Sequence, residues 1–334
     1  MQFKRLITTI DMHAAGEPLR VITSGIPTVR GKTMLERRAY FAENLDWVRR
    51  LLMYEPRGHH GMYGCVITPP EREQSDFGML LMHNEGYSTM CGHCVIAAAT
   101  MAVETGLVEW TPGRERIVID TPAGEVTAWP EVEGGSVKSV SFDNVPSFVY
   151  LEHVPVEADG TTVNVDIAYG GAFYAIVEAA DLGVRVDIAE LDRLTRLGKH
   201  IKHEIERKMD VRHPLLPDIR GIYGVIFSDE PRRADSHLRN VTVFADGQID
   251  RSPCGTGTCA RMALLHLRGR LAAGEAFVHE SIIGSQFTGV ITGETEVGPY
   301  RAVLPRIKGR AFMTGIHQFV ADPSDPLIDG FLLR

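Results

Sequence analysis

The chain has 334 residues, 44% of them hydrophobic and 23% charged, the balance of a soluble globular protein long enough for two domains. A formal net charge of −8 argues against nucleic acid or anionic membrane as the main partner. Five cysteines, an odd number at uneven spacing, do not form a disulfide framework and fit a reducing cytoplasm. Met1 to Gly16 has no apolar stretch of signal-peptide length, and no apolar run is long enough to span a bilayer.

In chain order, Phe3–Met12 and Leu19–Thr23 read as strands, joined by a turn-rich loop that carries His13 and Glu17. Thr33–Leu52 reads as one helix, with Leu35, Ala39, Ala42, Leu45, Val48 and Leu52 on a single stripe. A Gly- and Pro-rich loop follows, from Glu55 to Gly64, holding His59 and His60; adjacent histidines rarely meet one metal ion. Cys65–Thr68 and Phe77–His83 are strands. A helix from the Cys91-Gly92 pair runs to about Glu104 and stops at Gly106. Ile117–Thr121, Gly124–Trp129 and Val137–Asn144 close the first half in strands, with a Gly134-Gly135 hairpin.

The second half repeats this order. Strands are expected at Val163–Ala168, at Ala172–Val177 after the Gly170-Gly171 turn, at Arg220–Ser228 and at Leu238–Ala245. A helix is expected over Ile188–Met209, with Leu191, Leu194, Leu197, Ile201 and Ile205 on its stripe. A second Cys-Gly helix begins at Cys254-Gly255 and runs to about Gly269. Glu280–Thr288, Val290–Val297, Tyr300–Lys308 and Gly309–Val320 complete the half as strands. This repeated order predicts an α+β protein of two similar domains, 1–145 plus 318–334 and 146–317, with the active site in the cleft between them.

Met90-Cys91-Gly92-His93-Cys94 and Asp250-Arg251-Ser252-Pro253-Cys254-Gly255-Thr256-Gly257 organise the two halves. Each sets a thiol before an Ala- and Met-rich helix, where unpaired N–H groups and the helix dipole favour a thiolate and can also hold a carboxylate. Cys65, Cys94 and Cys259 read as packing residues. Cys91-x-x-Cys94 also fits a thioredoxin-like redox motif, which leaves the second Cys-Gly helix unexplained. A zinc site built from four thiolates fits poorly, because the second cysteine pair is spaced C-x4-C and lies partly in a helix. Two acid/base groups on opposite sides of one carbon are what inversion of a stereocentre needs, one thiol removing the α-proton and the other returning it. There is no P-loop and no strand-linked G-x-G-x-x-G, so no cofactor is called for.

The two Cys-Gly motifs, with Asp11-Met12-His13, Gly16-Glu17-Pro18, Glu55-Pro56-Arg57-Gly58-His59 and His83-Asn84-Glu85-Gly86-Tyr87, resemble the proline racemase family over most of the chain. That family includes proline racemases, 4-hydroxyproline 2-epimerases and trans-3-hydroxy-L-proline dehydratases. The resemblance implies a diaminopimelate-epimerase-like fold, a homodimer, no cofactor or metal, and proline or hydroxyproline as small-molecule substrate. It implies Cys91 and Cys254 as the proton-transfer pair and Asp250 and His93 at the ring nitrogen. Backbone amides of Gly92, His93, Gly255, Thr256 and Gly257 would hold the carboxylate, with Tyr63 and Phe244 lining the ring pocket. Two signals then conflict. Cys254 stands where the dehydratases usually carry Thr, which favours inversion, whereas Glu55–His59, Met62-Tyr63-Gly64 and His83–Cys91 look closest to the dehydratase branch. The second proton-transfer group is weighted more, because inversion requires it, and a racemase/epimerase is the expected activity, with the dehydratase as its alternative.

Overall fold

The computed structural model describes residues 5–333, so Phe3 and Lys4 of the expected first strand lie outside the described residues. The chain separates into two compact units, Met1–Ser141 with Arg310–Arg334, and Phe142–Gly309.

In the first unit the chain forms β1 (Arg5–Ala14), β2 (Glu17–Ser24), α1 (Met34–Asn44), α2 (Asp46–Met53), β3 (Tyr63–Thr68), β4 (Phe77–His83) and β5 (Gly86–Ser88). Then come α3 (Gly92–Glu104), β6 (Ile117–Thr121), β7 (Gly124–Glu133) and β8 (Ser136–Asp143). The second unit begins with β9 (Ser147–Ala158), β10 (Thr161–Tyr169), β11 (Phe173–Glu178), α4 (Leu191–Lys208), β12 (Gly224–Asp229), β13 (Leu238–Phe244) and β14 (Gln248–Asp250). It continues through α5 (Gly255–Leu267), β15 (Ala276–Ser281), β16 (Gln286–Val297) and β17 (Tyr300–Gly309), before β18 (Ala311–Ala321) returns to the first unit.

The expected duplication is visible strand by strand. β1 and β2 pair antiparallel, β2 and β3 parallel, β3 and β4 antiparallel, and β4 antiparallel to β5 and parallel to β6. β10 and β11, β11 and β12, β12 and β13, then β13 with β14 and β15, repeat those senses in order. Even side-chain devices recur. Asp120 on β6 accepts from the Glu71 and Arg72 amides at 2.6 and 3.0 Å, and Glu280 on β15 accepts from the Arg232 and Arg233 amides at 2.9 and 3.0 Å.

The expected long first helix is broken into α1 and α2 at Leu45, where φ −126° and ψ 13° leave the helical well. Thr33 and Glu36 form a reciprocal capping box that fixes where α1 starts. Leu35, Ala39 and Ala42, placed on the buried stripe, are exposed, while Leu45, Val48 and Leu52 are buried as expected; Met34, Phe41, Leu51 and Met53 join them against Val66, Leu80 and Met82. The strand expected at Glu280–Thr288 is interrupted by the turn between β15 and β16, and β5, β9 and β14 lie in stretches for which the sequence reading assigns no strand, β5 and β14 being too short for a period-2 pattern to reveal.

In each unit an outer helix covers one set of strands and a central helix packs on another. α3 is buried from Gly92 to Ala102 and packs on β1, β2, β7 and β18. α5 is buried from Gly255 to Leu265 and packs on β9, β10, β11, β16 and β17. A helix that is apolar all round belongs inside a domain, and small Ala side chains let strands approach it. Arg261 on α5 is tolerated there because it reaches Glu178 at 2.8 Å and Ser228 at 3.1 Å. Gly170 is required for the same closeness: a Cβ there would meet the Thr256 carbonyl oxygen at 2.1 Å.

Arg239 on β13 and Glu280 on β15 form an ion pair that is 4% and 1% exposed, and Arg239 also donates to the carbonyls of Val186 and Ile282. Removing one partner leaves the other charge buried alone. Glu280→Ala is therefore expected to lower unfolding free energy by about 3–5 kcal/mol, measured by urea denaturation.

Candidate active site

Each unit presents one thiol at the start of its central helix. Cys91 is the N-cap of α3, with extended backbone at φ −151° and ψ 118°, and its carbonyl accepts the first helical bond from Val95 at 3.1 Å. The β4–β5 hairpin delivers the chain to this position.

Around Cys91 the structure gathers polar and aromatic groups. Its Sγ lies 3.0 Å from His93 Nδ1, and His93 Nε2 lies 3.3 Å from Cys94 Sγ. Tyr63 packs edge-on against His93 with centroids 5.0 Å apart, and its hydroxyl is bonded to Ser88. Burial opposes a charged Cys91, but hydrogen bonding from Cys94 and the charge and hydrogen bond of His93 outweigh it and hold the thiol well below its ordinary value. Cys94 moves the opposite way: burial, then the hydrogen bond and charge of Cys91, keep it protonated. Burial and the Cys91 charge push Cys65 up as well. Cys94, expected only to pack, is thus a partner of Cys91; the C-x-x-C spacing was the available signal.

Cys254 is the N-cap of α5, but at φ 64° and ψ 104°. A side chain at positive φ costs about 1–3 kcal/mol and persists only when its surroundings impose it. Here they do. Asp250 Oδ1 accepts from the Ser252 amide at 2.8 Å and its hydroxyl at 2.7 Å, and the Cys254 amide donates to Ser252 Oγ at 3.1 Å. The Pro253 carbonyl accepts from Asn240 Nδ2 at 2.9 Å and Thr258 Oγ1 at 3.1 Å. The Asp250–Cys254 run of the motif is therefore a positioning device for one sulfur.

That sulfur sits in a drier setting than Cys91. The Cys254 thiol donates to the Tyr174 hydroxyl at 3.6 Å, and that hydroxyl is bonded to Thr256 Oγ1 at 2.6 Å. Burial and then the Asp250 carboxylate push Cys254 well above its ordinary value, against the hydrogen bonds of Tyr174, the Gly257 amide and Thr242. Gly257 must lack a side chain, since its Cβ would lie 2.9 Å from Cys254 Sγ. Phe244 ends β13 and stacks on Tyr223 at 5.6 Å, and Tyr223 meets Tyr174 edge-on at 5.8 Å. Sequence reasoning misses Tyr174, Thr242 and Ser252 as functional residues. Tyr174 lies on a strand, 80 residues from its sulfur partner, and no local pattern marks it.

Of the three loop residues noted above, Glu17 is fully buried at the start of β2 and acts electrostatically on Cys94. His13 Nδ1 accepts from the Gly16 amide at 3.2 Å and its ring packs on Phe312. His59 is exposed and its Nδ1 lies 2.9 Å from the neighbouring His60 carbonyl.

Residues 9–332 match the family described as Proline racemase. The chain is 56% identical over 333 residues to the trans-3-hydroxy-L-proline dehydratase of Bacillus cereus, covering 100% of both chains. It is 45% identical to the proline racemase of Acetoanaerobium sticklandii, covering 99% of both. A hydroxyproline epimerase from Agrobacterium vitis, solved with bound trans-4-hydroxy-L-proline, superposes with a TM-score of 0.92 at 34% identity, over 100% of this chain and 96% of that one. Family match, full-length identity and fold agree: the chain belongs to the proline racemase family.

Proposed function

We propose that this protein is a cofactor-independent racemase or epimerase that inverts the α-carbon of proline or a hydroxyproline through Cys91 and Cys254. The observation that carries this reading is the matched placement of two thiols in unlike settings: each is the N-cap of its unit's central helix, Cys91 Sγ lying 3.0 Å from His93 Nδ1 and Cys254 Sγ–H donating to the Tyr174 hydroxyl at 3.6 Å, with the first thiol shifted below and the second above its ordinary value. One base and one acid are what a single inversion consumes. Cys91 Sγ takes the α-proton, negative charge spreads into the substrate carboxylate, and Cys254 Sγ–H delivers a proton to the far face. The enzyme is left with the charges exchanged, ready for the reverse reaction. Amides of Gly92, His93, Gly255, Thr256 and Gly257 hold the carboxylate as its charge grows. His93 and Asp250 face the ring nitrogen, and Tyr63 and Phe244 flank the ring.

A second reading is favoured by one observation, the 56% identity with a protein named as a dehydratase. In trans-3-hydroxy-L-proline the hydroxyl is cis to the α-hydrogen. One thiol can then remove that hydrogen and pass it to the departing hydroxyl, releasing water, with no acid on the other face.

Incubation in deuterated water with L-proline, trans-4-hydroxy-L-proline and trans-3-hydroxy-L-proline, followed by proton NMR and polarimetry, separates the two. Loss of the α-proton signal with inversion supports the epimerase. Conversion of 3-hydroxyproline to a cyclic imine, with no inversion of any substrate, replaces it with the dehydratase. We further infer a cytoplasmic homodimer, a reading supported by five free cysteines and by exposed Leu6, Phe312, Ile316 and Val320 on β1 and β18. Sedimentation equilibrium checks the dimer. Among the described residues no helix is long and apolar enough to cross a membrane.

A further inference from the structure

Cys94 and the second ring nitrogen of His93 have no step in the inversion described above, yet they stand against its base. The first turn of α3 brings three soft or borderline donors together: the ligand atoms of Cys91, His93 and Cys94 all lie within 4.8 Å of one another. For a tetrahedral zinc ion with Zn–S of about 2.3 Å and Zn–N of about 2.0–2.1 Å, the sulfur–nitrogen edge is about 3.5 Å. The distances from His93 Nε2 to Cys91 Sγ and Cys94 Sγ are 3.9 and 3.3 Å, one on each side of that value.

We propose that Cys91, His93 and Cys94 form a site for one thiophilic divalent ion, with zinc as its type, and that occupancy blocks the protein by engaging the Cys91 sulfur. Two thiolates and a neutral imidazole match the ligand types that borderline-soft metals select. Two sulfur charges neutralise the ion, which removes the objection that a helix N-terminus repels cations. The surroundings add negative potential: the buried Glu17 acts electrostatically on Cys94. Cys91 is half-buried while His93 and Cys94 are buried, so the ion enters past the same sulfur that would meet the substrate. Three protein ligands leave a fourth position for water or a carboxylate.

The site itself does not depend on the catalytic reading; the blocking effect does, because it rests on Cys91 acting as base. The experiment therefore reads metal first and activity second. Reduced, chelator-treated full-length protein is titrated with zinc against a chromophoric chelator, and with cobalt(II) while following thiolate-to-cobalt charge-transfer absorption. The expected result is one ion per chain, with that absorption present. Cys94→Ser and Cys91→Ser each weaken binding by about tenfold or more and remove or diminish the band, while Cys259→Ser changes neither. Circular dichroism confirms that the variants are folded. Absence of stoichiometric binding overturns the site, as does unchanged binding in both Cys91→Ser and Cys94→Ser. Zinc is then expected to abolish turnover and a chelator to restore it. An ion held by these ligands with turnover intact overturns the blocking role and counts against Cys91 as the base, leaving the site standing.

Discussion

Cys254→Ser is expected to lower the inversion rate by about 10²–10⁴-fold, the range general acid–base groups contribute. A serine hydroxyl fits the space but neither gives nor recovers a proton near neutral pH. The substitution should leave the fold intact, because the positive-φ turn is held by Asp250, Ser252, Asn240 and Thr258 rather than by the sulfur. Under the two-thiol reading the variant still exchanges the α-proton of one enantiomer with deuterated water, through Cys91, while the other enantiomer becomes inert. NMR of each enantiomer separately measures this. Retention of full inversion removes Cys254 from the chemistry. Loss of inversion with undiminished dehydration of 3-hydroxyproline assigns the second thiol to inversion alone and reconciles Cys254 with the dehydratase-like flanks.

The second large effect is on thiol reactivity. Only the thiolate is nucleophilic, and the Cys91 thiol is held well below its ordinary value while Cys254 is held above it. With a chelator present, iodoacetamide is expected to label Cys91 first and to inactivate the protein in step with that label. The sign follows from which form survives acidification. A lowered value keeps Cys91 charged to a lower pH than an ordinary thiol, so its alkylation rate falls later on acidification. An ordinary thiol loses reactivity as soon as pH falls through about 8.5. His93→Gln removes an imidazole that lowers Cys91, so the rise of the profile should move toward the ordinary thiol position. Peptide mass spectrometry after partial labelling identifies the site. Preferential labelling of Cys254 at neutral pH would contradict the assignment of base and acid.

Several features can be read directly from residue order because their causes are local. The helices after Cys91 and Cys254 start within one or two residues of where the sequence predicts them, since an Ala-rich run after Cys-Gly has few other conformations open to it. Phe77–His83 and Ile117–Thr121 match residue for residue, both being short apolar runs bounded by turns. β9 escapes notice because His153 at φ 55° and Pro155 interrupt its pattern, and pairing with β10 and β17, not propensity, makes it a strand. The break at Leu45 is likewise tertiary: two short helices lay Phe41 and Leu51 into one apolar cluster.

Sequence by itself determined the duplicated order of elements and the family and singled out the two thiols as candidates, because those reside in contiguous motifs whose chemistry is local. It placed Tyr63, Phe244 and Asp250 only by resemblance. The tertiary structure decided the state of each sulfur. Cys91 and Cys254 occupy equivalent positions in equivalent units, yet one meets His93 and Cys94 and the other meets Asp250 and Tyr174. A thiol's ionisation is set by how deeply it is desolvated and which charges and donors surround it within a few ångströms. Tyr174 and Thr242 come to Cys254 from strands far away in the chain, so that environment exists only once the strands have paired.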